Sequence, residues 1–284
     1  RALFRLVRGR KTWREFLRQA GRTLWVGTGL LYGSFLLLWG LNSHRQPLAH
    51  SMNLEVKEPE VERLTWLLGR MKEEANLLRK DLPETEDGTL AIAEDRRETY
   101  RRALLGWKVA EKRYPFLSGP DILPKPLVVP SALGATGADG ILCPFTLEPC
   151  VNPNIPKARL LLVLCHEMAH ARGFAREDEA TYLAYLVCRL HPDPDFRYAA
   201  AFAGMWYLTP VLQERGIDLS GASEAVLRDY DEIEHWRSLK KGWSHELFRK
   251  FWTGYFRATG QKHGFASYGR MILLLAAEPL LEPR

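Results

Sequence analysis

Cysteine is scarce in this chain, four among 284 residues. That excludes a small disulfide-held scaffold, which needs closely spaced cysteine pairs in place of a core. Tracts of proline, glycine or serine are missing, and 46% of residues are hydrophobic, so collagen-like, low-complexity and disordered classes do not apply. No repeat with a period of roughly 20–50 residues recurs, so neither a solenoid nor a propeller is expected. Positive charge is scarce where a nucleic-acid groove would need it. The formal charge is +6, but residues 1–22 carry eight Arg or Lys against Glu15 alone, leaving −1 for the rest of the chain. Counterion release requires Lys and Arg concentrated along the bound strand. Nucleic acid is therefore not expected as a partner.

What the chain does have is one uncharged run, Thr23 to Leu41, about as long as the roughly 20 residues a helix needs to cross a bilayer. It is expected to form a transmembrane helix contacting lipid through residues 23–41. Trp25 and Trp39 would lie at headgroup level, and the basic segment 1–22 would face the cytoplasm and anionic lipid. The chain after Asn42 is then expected outside the cytoplasmic membrane. A cleaved signal peptide is the competing reading, but the run is long for such a peptide and no clean small-x-small cleavage site follows it. The chain begins with Arg1 rather than Met, which leaves room for a further membrane helix upstream.

A linker at 42–58 leads to a main domain at 59–284. Val61, Leu64, Leu68, Met71, Ala75, Leu78 and Leu82 recur every three or four residues, the stripe of an amphipathic helix ending near Pro83. A second such stretch runs from about Leu90 to Tyr114, giving a helical hairpin over 59–114. Prolines and glycines break helical periodicity over 115–156, where KPLVV and GILCPFT read as short strands. Helices are expected again at about 157–172, 177–190, 195–214, 223–241, 245–259 and 267–280. The fold class expected is thus mostly α with a small β segment.

Cys165-His166-Glu167-Met168-Ala169-His170 contains HExxH. On a helix, two His four residues apart project from one face and can share a Zn²⁺, with Glu167 about 100° round as a base. A catalytic zinc needs a third protein ligand and keeps one position open. Asn152 to Pro156 can start the helix and Gly173 can end it, after which three acids, Glu177, Asp178 and Glu179, open the next one. Glu177 and Glu179 are both open as the third ligand. Glu177 is favoured, because one turn later its helix carries Thr181, able to hydrogen-bond a ligating His, where Glu179 is followed by Leu183.

The stretch HEMAHARGFAREDEATYLAYLVC resembles the core motif of a family of uncharacterised bacterial membrane-anchored proteins regarded as zinc metallopeptidases, HELAHxRGFAREDEANxxAYL. Similar blocks occur upstream, at Tyr114 to Phe116, Lys125-Pro126 and Gly140 to Asn152. Others lie downstream, at Phe196 to Tyr198, Arg228-Asp229, Gly260-Gln261 and Ser267-Tyr268-Gly269. Thr181 stands where the family usually has Asn. The resemblance implies a zincin-like metallopeptidase domain with a gluzincin-like Zn²⁺ site of His166, His170 and a glutamate, Glu167 acting as general base on a peptide or protein substrate. The alternative class is a non-catalytic membrane protein with a structural or vestigial metal site.

An oxyanion formed there would need a further donor, and Tyr198, Tyr230, His235, Tyr268 and Arg270 are the candidates, Tyr268 first. An edge strand within 125–146 would let a peptide lie extended beside the zinc. Cys143 and Cys150 are either a disulfide or two buried thiols, while Cys165 and Cys188 read as core.

Overall fold

The computed structural model describes residues 12–92, 95–127, 138–239 and 270–279, with 246, 250, 253 and 254 as isolated positions. Most of the expected helix 245–259, both ends of the one at 267–280, Tyr268 and the first half of the basic segment lie outside the described residues. The chain divides into two compact units, residues 1–41 and 42–284.

The described part of the first unit is dominated by one helix, α1 (Trp13–Leu38), opened by a reciprocal capping box between Thr12 and Glu15. Among the described residues no helix is long and apolar enough to cross a membrane, which corrects the transmembrane span expected at 23–41. The first turns of α1 carry Arg14, Glu15, Arg18 and Arg22. Beyond them the helix stops at Leu38, and Gly40–His44 tighten into a 3-10 turn. The uncharged part is thus short of the roughly 20 residues a span requires, and Gly27, Gly29, Gly33, Thr28 and Ser34 dilute it.

The second unit is mostly helical, with one three-stranded sheet. Among the described residues, besides a four-residue helical turn at Leu48–Ser51, its helices include α2 (Val61–Arg79), α3 (Arg96–Arg113), α4 (Lys157–Ala171), α5 (Glu177–Arg189), α6 (Pro194–Gln213), α7 (Glu224–Ser238) and α8 (Met271–Ala276). The stripe read on α2 faces inward: Leu64, Leu68, Met71 and Ala75 are buried. α3 starts later than its apolar pattern, at the Asp95 cap, whose carboxylate accepts the Glu98 amide at 2.9 Å. α4 and α5 pack on each other and on α6, α2 lies along α6, and α3 rests on α4 and α5. α5 is buried from Glu177 to Cys188 except at Asp178, so the helix at the centre is the one following the HExxH helix.

The sheet is ordered β1 (Lys125–Pro126), β3 (Glu148–Val151), β2 (Gly140–Cys143), with β1 parallel and β2 antiparallel to β3. Central β3 contains Pro149, a residue that argues against a central strand. Its place in the ladder explains the tolerance. The Asn152 amide bonds the Asp139 carbonyl at 2.8 Å, so Ile141–Cys150 is a bonded pair while Gly140–Val151 and Leu142–Pro149 are non-bonded. Pro149 therefore needs no amide towards β2, and β1 pairs only with Cys150 and Val151. The same alternation turns the N–H and C=O of Gly140 to the outer edge of β2. β2 and β3 both pack against α4.

Candidate metal centre

α4 is apolar from Leu160 to Cys165 and buried almost throughout, which fixes the orientation of the polar residues that follow. Its end is built by Gly173, whose left-handed φ of +83° lets the Phe174 amide reach back to the Ala169 carbonyl at 3.2 Å and the Gly173 amide bond His170 O at 2.8 Å. The reversal brings the Phe174 carbonyl to 2.7 Å from His170 Nδ1. With that proton donated, Nε2 of His170 carries the free lone pair. His166 Nδ1 lies 3.3 Å from the Thr181 hydroxyl, so Thr181 does orient a histidine, as its position one turn after Glu177 predicts.

The turn is also held from the far side. Arg45 donates to the Arg172 carbonyl at 3.1 Å, its guanidinium stacks 3.9 Å over the Phe174 ring, and Arg176 donates to the Arg45 carbonyl at 3.2 Å.

His166 Nε2 and His170 Nε2 are 3.0 Å apart, and Glu177 Oε2 is 3.2 and 3.4 Å from them. Two nitrogens and an oxygen around a tetrahedral Zn²⁺ at about 2.0–2.1 Å would stand about 3.3 Å apart, so the triangle has the size of one face of such a site. His166, His170 and Glu177 form a group able to hold a metal ion. The donor set, borderline nitrogen plus carboxylate, suits zinc among other divalent ions. Glu179, the alternative ligand, is engaged elsewhere: it accepts the Leu48 amide at 2.8 Å and Arg176 at 2.9 Å.

Burial dominates the electrostatics. It pushes Glu167 up to about 8, aided by Glu177 and Asp139 and opposed by His170. Burial alone would lower both histidines; in His170 the Glu177 carboxylate outweighs it and raises the group to about 9, while His166 stays below its ordinary value. Burial would likewise raise Glu177, but the two imidazoles hold it well below the usual carboxylate range. Oε2 of Glu167 and Oε2 of Glu177 are both buried without a hydrogen-bond partner. Such orphaned acceptors are expensive, and a cation with its water is what they fit.

Of the oxyanion candidates, Tyr198 donates to Asp229 at 2.5 Å, Tyr230 packs on Phe202, and His235 is exposed. The field of Arg270 falls on Asp178. A different polar cluster borders the centre. Arg159 lies two turns before His166 on the same face of α4, is ion-paired with buried Asp139, and reaches the Tyr207 hydroxyl. Its charge is felt at His166, and that of Glu177 at Tyr207. The spacing 159, 163, 166, 170 is the signal that places Arg159 on the histidine face. Nothing local marks Asp139 or Tyr207. Cys143 and Cys150 are both free thiols at diagonal positions of the hairpin.

Residues 1–276 match the family described as "Protein of unknown function (DUF3810)". The chain belongs to this family. No curated protein and no solved structure matches it. Membership of DUF3810 thus accounts for nearly the whole chain and leaves the chemistry to be read from the centre itself.

Proposed function

We propose that the protein is a metal-dependent hydrolase of amide bonds, a zinc peptidase in which His166, His170 and Glu177 hold the ion and Glu167 is the general base. One observation carries the reading: three converging ligand atoms at 3.0–3.4 Å stand beside a buried glutamate whose outer oxygen is unpartnered. Zinc held there supplies Lewis acidity, polarising a carbonyl and bringing the pKa of a water towards about 7. Glu167 takes the proton of the attacking water and returns it to the leaving amine.

The outer edge of β2, with the N–H and C=O of Gly140 turned outward, offers an extended peptide the pairing of an added strand. Tyr207, held by Arg159, replaces the sequence candidates as our choice of oxyanion donor. A vestigial or purely structural site accounts less well for a Glu167 kept at the centre with an unsatisfied oxygen.

The test combines elemental analysis with hydrolysis of a mixed peptide library. Wild type is expected to bind one zinc per chain, and His166→Ala and Glu177→Ala to lose it while Glu179→Ala keeps it. Glu167→Gln should keep zinc and lose about 10²–10⁴-fold in kcat. Full zinc stoichiometry in His166→Ala would sink the reading.

A further inference from the structure

We propose that Gly140 is a positioning residue for Glu167: the side chain it lacks is the space the Glu167 carboxylate occupies. A Cβ built on Gly140 would stand 2.7 Å from both Cγ and Cδ of Glu167, with Oε1 closer still. No real Cβ contact is that short. Backbone conformation does not demand glycine here, since φ at Gly140 lies outside the left-handed region. The contact alone excludes a side chain.

The strand cannot retreat to make room, because its neighbour is pinned on three sides. Asp139 is ion-paired with Arg159, accepts the Trp236 indole N–H at 3.2 Å, and bonds the Asn152 amide through its carbonyl. Glu167, by contrast, is buried but has no hydrogen bond to hold Oε2. An added methyl group therefore moves the carboxylate and leaves the strand in place. The start of β2 acts as a rigid roof against which the base is seated. Its role in catalysis rests on the hydrolase reading; the steric contact does not.

Four versions of the full chain test it: wild type, Gly140→Ala, Glu167→Ala and the double variant. With Glu167 present, Gly140→Ala is expected to lower Tm by about 2–4 °C. In the Glu167→Ala background the same change should leave Tm level or raised, since alanine is better than glycine in a strand. Equal shifts in both backgrounds overturn the proposal. A crystal structure of Gly140→Ala should show the Glu167 carboxylate displaced and backbone 139–143 unmoved; a lifted strand over an unmoved carboxylate overturns it. Neither readout needs metal or substrate, so both remain decisive if no hydrolase activity exists. Where peptide cleavage is measurable, Gly140→Ala should lose about 10²-fold in kcat with zinc content and KM unchanged. An unchanged kcat refutes the positioning role.

Discussion

Two buried carboxylate clusters in this molecule invite comparison. Asp229, on α7, is 1% exposed and accepts Arg79 Nε at 2.7 Å, the Tyr198 hydroxyl at 2.5 Å and the Leu90 amide at 2.7 Å. Both its oxygens are answered by donors, and the donors come from α2, α6 and the segment before α3. Glu177 is similarly hidden, at 7%, yet its Oε2 faces two imidazole nitrogens and no other partner. The difference separates scaffold from site. A carboxylate whose acceptors are filled by the chain itself holds elements together, whereas one left short of donors awaits something the chain does not contain.

The comparison can be broken by experiment. Asp229→Ala leaves the buried Arg79 guanidinium with Glu84 and the Gly88 carbonyl as its remaining partners, and urea denaturation should show a loss of up to about 3–5 kcal/mol with zinc affinity unaltered. A stability near wild type would mean that the filled cluster holds nothing together. Zinc at a hundredfold its Kd should stabilise the wild type by about 2.7 kcal/mol, an increment retained by Asp229→Ala and lost in Glu177→Ala. Survival of the zinc increment in Glu177→Ala would erase the distinction between the clusters.

Gly173→Ala forces an L residue into the left-handed turn that aims the Phe174 carbonyl at His170. Its expected cost is about 1–2 kcal/mol, and zinc titration should show weaker binding in the same variant. Thr181→Val removes only the hydroxyl beside His166 Nδ1. About tenfold weaker zinc binding is expected by competition against a chromogenic chelator, with Tm of the metal-free protein close to wild type.

The grouping of His166, His170 and Glu177 was legible in the sequence because everything it needs is local. HExxH places two imidazoles on one helical face, Gly173 ends that helix, and one-turn spacing separates Glu177 with Thr181 from Glu179. Among the described residues helix existence was legible for the same reason, with boundaries near the ends of the apolar stripes except at α3, which starts at Arg96 rather than about Leu90. The roof was not. β3 hides behind Pro149, whose acceptability depends on which side of a strand pair its nitrogen faces. Asp139, Tyr207 and Trp236 meet Arg159 only through the tertiary fold, so no spacing announces them, whereas Arg159 itself is marked by its place on the histidine face. The expectation of a spanning helix failed for a countable reason: an uncharged run was read through a helix end at Leu38 and through glycines that lower its mean hydropathy.

His166, His170 and Glu177 all lie within α4, the Gly173 turn and the first residue of α5. Closing so short a loop costs little entropy, so this half of the centre has low contact order and is assembled as soon as one helix–turn–helix forms. The other half depends on partners far along the chain, such as Asp139 and Trp236, 97 residues apart. In folding terms, the ligand triangle asks only for short-range contacts, and the entropy of loop closure weighs on the roof over Glu167 instead.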